Sequence, residues 1–133
     1  MSKKYAIIAL TGIAAVLAAA PSSKAAVTAA NNYKQGKVYK ITPKSKPFKN
    51  KYVKAPTYNK KTRTYFTIRS YMEKFHKAKK GTLVLKKGTY KITNTIQVPS
   101  NVTIILEKGA KIVKSNQTGT KKMKAATTIF QLI

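Results

Sequence analysis

From Gly81 onward the apolar residues fall in short runs separated by turn-forming residues. Thr82 to Leu85, Thr89 to Ile92, Thr95 to Val98, Val102 to Leu106 and Lys111 to Lys114 are rich in Val, Ile, Leu, Thr and Tyr, and each predicts a strand. Lys-Gly pairs, Asn94 and Pro99-Ser100-Asn101 punctuate them. Just upstream the period changes. Ile68, Tyr71, Met72, Phe75 and Ala78 recur at helical spacing and predict an amphipathic helix from about Tyr65 to Ala78. Thr64 or Thr67 suits its start. Lys77, Lys79 and Lys80 suit the negative end of its dipole, and Gly81 suits its stop. Glu73 and Lys77 are spaced to pair along one helix face.

The strand region repeats itself. Thr82-Leu83-Val84-Leu85-Lys86-Lys87-Gly88-Thr89-Tyr90-Lys91-Ile92 is echoed by Thr103-Ile104-Ile105-Leu106-Glu107-Lys108-Gly109-Ala110-Lys111-Ile112-Val113, about 21 residues later. Each copy reads strand, corner with Gly, strand. Gly88 and Gly109 hold the same place, as a corner with positive φ or a close backbone approach requires. A flat hairpin sheet fits each piece locally. The repeat argues instead for coils stacked in parallel, with Leu83, Leu85, Ile104 and Leu106 in one core and Phe75 of the helix covering its end.

The chain begins with a different kind of pattern. Ser2-Lys3-Lys4 precedes an almost wholly apolar run from Tyr5 to Ala20, and Pro21-Ser22-Ser23-Lys24-Ala25 follows. That order predicts a bacterial-type secretory signal over residues 1–25, with Val27-Thr28-Ala29 as a second cleavage candidate. Residues 26–64 follow as a basic, Tyr- and Pro-rich linker. Val38 to Ile41 suits a short strand, but no sustained period is visible elsewhere, so the stretch reads as an extended tether. Residues 65–133 then form the capping helix and first coils. The final run from Thr127 to Ile133 starts another strand, which makes the expected functional unit longer than this chain, with further coils in the parent protein.

Charge narrows the partners. The 133 residues carry 28 Lys plus Arg against 2 acids, a net +26, with one His and no Cys or Asp. Such a balance favours polyanions: acidic polysaccharide, wall polymer, anionic lipid or nucleic acid. Only Arg63 and Arg69 are Arg, and sequence-specific base reading leans on bidentate Arg, so specific nucleic acid is disfavoured. The candidate polyanion ligands are Lys34, Lys37, Lys40, Lys44, Lys46, Lys49, Lys51, Lys54, Lys60 and Lys61, read against the plainer alternative of a solubilising linker. Without Cys there is no thiolate site, no disulfide and no lipid-accepting cysteine. One His and two Glu do not make a metal cage, and Glu73 on the helix and Glu107 in a corner are poorly placed as a catalytic carboxylate pair. No catalytic residue, cofactor site or metal site is expected.

The helix followed by Gly81-Thr82-Leu83-Val84-Leu85-Lys86-Lys87-Gly88-Thr89-Tyr90-Lys91-Ile92 and Thr95-Ile96-Gln97-Val98-Pro99-Ser100-Asn101-Val102-Thr103-Ile104 resembles the N-terminal cap and first coils of the pectate-lyase-like superfamily. The chain departs from the usual pattern in having Lys86 where Pro is common and Lys79-Lys80 where Gly is common. The resemblance covers a third to a half of the chain. It implies a mainly β fold, the start of a right-handed parallel β-helix capped by one helix and incomplete here. It also implies association with carbohydrate or cell-wall polymers, as a secreted or wall-associated protein. None of the family's catalytic acids maps onto this chain, although a longer parent would have room for lyase or hydrolase chemistry. A separate reading, from charge alone, is a cationic envelope-binding or membrane-active polypeptide, touching membrane through the signal segment or weak surface charge.

Overall fold

The computed structural model describes residues 34–133. The expected signal segment, its cleavage positions and the first residues of the basic stretch lie outside the described residues. The order of elements is β1 (Val38–Ile41), α1 (Asn50–Val53), α2 (Arg63–Ala78), β2 (Gly81–Leu85), β3 (Gly88–Ile92), β4 (Ile96–Val98), β5 (Val102–Leu106), β6 (Ala110–Lys114) and β7 (Phe130–Leu132).

The fold is mainly β, built of small parallel sheets. β1, β2 and β5 form one, in that order; β3 pairs with β6, and β4 with β7. Every pairing is parallel. The two copies of the sequence repeat lie directly side by side: Leu83 pairs with Ile104 and Leu85 with Leu106. The second pair of strands follows one residue out of step, Gly88 against Ala110 and Tyr90 against Ile112. In the third, Ile96 meets Phe130 and Val98 meets Leu132, the polar stretch after β6 being accommodated before the chain returns. β2 and β3 do not pair, so the local hairpin is excluded.

Parallel pairing at these registers places apolar residues over apolar residues. Tyr39, Leu83 and Ile104 form one row, and Ile41, Leu85 and Leu106 the next. Leu83, Leu85, Ile104, Tyr90, Ile92, Ile96, Val98 and Phe75 belong to one buried cluster, with Leu106 half-buried against it. β3 shows the alternation expected of a strand with one wet face: Tyr90 and Ile92 are buried, Thr89 and Lys91 exposed. All five residues of β2 are buried, as in parallel strands covered on both faces.

α2 packs against β2, β3 and β4, the strands of the first repeat copy and its continuation. Ile68, Met72 and Phe75 supply its buried stripe, while Ala78 is exposed. The helix ends differently from the sequence expectation. Lys79 adopts the left-handed conformation (φ 66°) and closes it, and Gly81 already belongs to β2. Gly81 is needed for space instead: a Cβ there would sit 2.0 Å from Phe75 Cδ1. Gly88 and Gly109 do take positive φ, 137° and 84°, as their shared corner position predicts. Neither Thr64 nor Thr67 caps the start. Thr62 is the N-cap residue, without a side-chain cap bond; its hydroxyl donates to the Thr57 carbonyl and accepts from the Asn59 N–H.

From residue 34 on, the stretch expected to be a tether is folded onto the rest. Ile41 and Tyr52 are buried, and β1 extends the β2 sheet. Tyr39 on β1, Tyr52 on α1 and Tyr58 on irregular backbone pack against the core, and β1 is the short strand expected over Val38 to Ile41. Elements of four residues joined by irregular backbone are too short to impose a sustained period, so the spacing of their buried side chains carried no pattern.

Candidate polyanion-binding grooves

The loop between β1 and α1 is fastened to α2. Phe48 N–H donates to Ser70 Oγ at 2.8 Å, and Thr67 Oγ1 donates to the Ser45 carbonyl at 3.0 Å. Ser70 and Thr67 are buried, so this fastening is protected from water. It holds Phe48 beside Tyr71, ring centroids 5.8 Å apart, and beside Tyr39 at 6.4 Å. Tyr39 in turn lies 5.3 Å from Tyr71 and 5.9 Å from Phe75. The result is an aromatic wall of which Phe48, 44 % exposed, is the outermost ring.

A groove of about 560 Å³ opens along this wall, with Lys37, Lys49, Lys74, Lys77 and Lys80 around it. Lys74 Nζ stands 4.2 Å from the Phe48 ring centroid, within cation–π distance. Lys49 is exposed, and the neighbouring Lys77 ammonium holds it below the usual lysine range. Two like charges facing one opening raise its attraction for an anion.

Glu73 lies at the side of this groove and is already engaged. Its carboxylate accepts from Arg69 Nε at 3.0 Å and from Lys51 Nζ at 3.4 Å. These partners correct the expected Glu73–Lys77 pair. Partial burial pushes Glu73 upward, but the hydrogen bond from Arg69, the adjacent Tyr52 hydroxyl and the charges of Lys51 and Arg69 outweigh it and hold the carboxyl below its ordinary value. Tyr52 is buried, and its hydroxyl makes no hydrogen bond of ordinary geometry even though it adjoins Glu73. Burial first, then the Glu73 charge, push it up to about 12.

A second groove, of about 530 Å³, runs between α2 and the β4–β7 sheet, where Arg69, Glu73 and His76 meet Gln97 and Gln131. A third, of about 350 Å³, is lined by Lys44, Lys60, Lys61, Arg63 and Lys91. Glu107 lines none of the three, so the two carboxylates are not brought together. Among the described residues no group of three His, Asp or Glu is placed to hold a metal ion, and no helix is long and apolar enough to cross a membrane.

All ten candidate lysines are exposed. They do not form one surface. Lys37 and Lys49 line the aromatic groove, and Lys44, Lys60 and Lys61 line the third. Lys51 is spent on Glu73, while Lys34, Lys40, Lys46 and Lys54 line none of the three grooves. Sequence reasoning missed Lys74, Lys77, Lys80, Arg63 and Lys91. The spacing of Tyr71 and Lys74 along the helix was the visible signal for Lys74, since residues three apart share a face. No protein-family model, curated protein or solved structure matches this chain, so the grooves are read from their own chemistry.

Proposed function

We propose that this chain is a secreted, non-catalytic binding protein, the beginning of a right-handed parallel β-helix, which attaches to carbohydrate or cell-wall polymer through its aromatic groove. The parallel registers of β2 with β5, β3 with β6 and β4 with β7 support stacked coils, with β1 and α2 closing the first. The observation that carries the binding assignment is the Tyr39–Phe48 pair lining the groove, backed by Tyr71, with Lys74 poised over the Phe48 ring. The C–H face of a sugar ring packs on an exposed aromatic face, and flanking ammonium groups suit acidic substituents on the same polymer. Retention of the full chain on immobilised acidic polysaccharide tests this. Phe48→Ala and Lys74→Ala should each reduce retention, and Lys40→Ala should not. Equal retention of all three variants would sink the assignment.

A second reading, a cationic envelope-binding polypeptide acting through charge, is favoured by the exposure of all ten lysines on several faces. It expects Phe48→Ala to bind like the parent and binding to fall steeply with salt.

A further inference from the structure

The third groove differs in kind from the aromatic one. No aromatic residue lines it, and neither Glu73 nor Glu107 is near enough to line it. Its five cations come from three separate segments: Lys44 after β1, Lys60, Lys61 and Arg63 at the start of α2, and Lys91 on the wet face of β3. Hydroxyls of Thr64, Thr89 and Ser115 stand among them. Two long-range bonds fix its walls. Asn59 Nδ2 donates to the Thr118 carbonyl at 2.8 Å, and Lys61 Nζ donates to Gln117 Oε1 at 3.3 Å.

Arg63 is the unsatisfied member. Its Nε is buried and has no hydrogen-bond partner, and its Nη2 reaches only the Pro43 carbonyl, at 3.4 Å. A buried guanidinium N–H without an acceptor is costly. The first turn of α2 compounds this, holding a cation and no acid where the helix dipole favours negative charge. An anion in the groove offsets the cation at the helix start and accepts from the guanidinium nitrogens other than the buried Nε. The mixture of one guanidinium fork, several ammonium groups and hydroxyl donors approaching from different sides matches a tetrahedral oxyanion better than a flat carboxylate.

We propose that this groove is a second binding site, independent of the aromatic one, for the phosphodiester groups of a polyol- or sugar-phosphate polymer. Arg63 and Lys91 hold the phosphate from opposite walls, and the hydroxyls take its remaining oxygens. The volume accommodates one phosphate with an attached glycerol- or sugar-sized unit.

The test is calorimetric titration of the full chain with poly(glycerol phosphate) at physiological ionic strength. Inorganic phosphate as competitor and phosphatidylglycerol vesicles as an alternative source of the same group complete it. Two double variants are compared: Arg63→Gln/Lys91→Ala, and Lys40→Ala/Lys108→Ala, which removes the same charge outside all three grooves. The expected result is polymer binding that inorganic phosphate competes away. It should weaken by about tenfold or more in the first variant and by less than about twofold in the second. Lys91→Ala alone, on an exposed strand position, repeats the test without touching the helix start. Equal weakening in both double variants would mean diffuse charge and overturn the site. So would binding to the vesicles but not to the polymer, or binding unaffected by Arg63 and Lys91.

Discussion

The hydroxyl of Tyr90 lies 3.0 Å from the carbonyl oxygen of Ile41, joining the middle of β3 to the end of β1 across 49 positions of chain. The same hydroxyl lies 2.5 Å from the Lys86 carbonyl, and its single proton is shared between the strand end and the corner that follows β2. Tyr90 is fully buried, and no solvent competes for this contact. It is one reason the basic stretch before α2 is folded onto the core.

Tyr90→Phe keeps the ring and removes that donor, while the Ile41 carbonyl keeps the Lys86 N–H at 2.9 Å. Urea unfolding should show a loss of about 0.5–1.5 kcal/mol, the net contribution of one hydrogen bond. Tyr52→Phe is the contrasting case, because that buried hydroxyl makes no hydrogen bond of ordinary geometry and only adjoins Glu73. It should cost less than Tyr90→Phe at neutral pH. Equal losses for the two variants would mean that the Tyr90 contacts are not the source of the effect.

Leu85 pairs with both Ile41 and Leu106 and is fully buried, so it sits where three strands share one row. Leu85→Ala should cost about 2–5 kcal/mol, with the larger values if the neighbouring strands cannot close on the gap. Val113→Ala, at an exposed position of β6, should cost far less in the same denaturant titration.

The strands and their partners were legible because regular elements write their burial into the sequence as a period. The copies around Leu83 and Ile104 then gave the register directly, since parallel stacking sets like beside like. Three things were not legible. The lap through β6 to β7 is lengthened by residues 115–127, which hides the pairing of Ile96 with Phe130. Tyr39 and Tyr52 sit on β1 and α1, elements of only four residues each, too short to show a sustained period, so the stretch holding them looked like a tether. The grooves combine residues distant in sequence, and Lys74 and Lys91 look like ordinary outward lysines until Phe48 and Arg63 are seen beside them. Charge alone could name the class of partner but could not sort 28 Lys and Arg residues into two sites.

Stability should fall at both ends of the pH range, for different reasons. Glu73 titrates below its ordinary value in the folded chain. Its contribution is therefore present above the unfolded carboxyl value and lost as pH falls through the lower folded one. Glu73→Gln should flatten the acid limb of a plot of unfolding free energy against pH.

At the alkaline end the sign reverses. Tyr52 and Tyr90 are both pushed up to about 12, chiefly by burial. Unfolded tyrosine ionises near about 10, so their contribution is complete below that value and is lost as pH rises towards the folded values. Tyr52→Phe and Tyr90→Phe should each shallow the alkaline limb, and absorbance titration should show two late-ionising tyrosines disappear one by one. An unchanged limb in the double variant would assign alkaline unfolding to the lysines instead.

Gly81 and Phe75 give the sharpest test of how α2 closes over the strands. A Cβ on Gly81 would meet three atoms of the Phe75 ring, the nearest at 2.0 Å, and Phe75 is itself fully buried. The backbone at Gly81 does not take positive φ, so the penalty for a side chain there is steric and not conformational. Gly81→Ala should therefore destabilise by about 1–3 kcal/mol through overpacking. Phe75→Leu should destabilise through lost volume. The combination should lose less than the sum of the two, because the smaller side chain makes room for the added methyl, with a coupling of about 0.5–3 kcal/mol. Strict additivity in the double-mutant cycle would show that the helix does not bear on β2 through this contact, and that something other than Phe75 requires glycine at position 81.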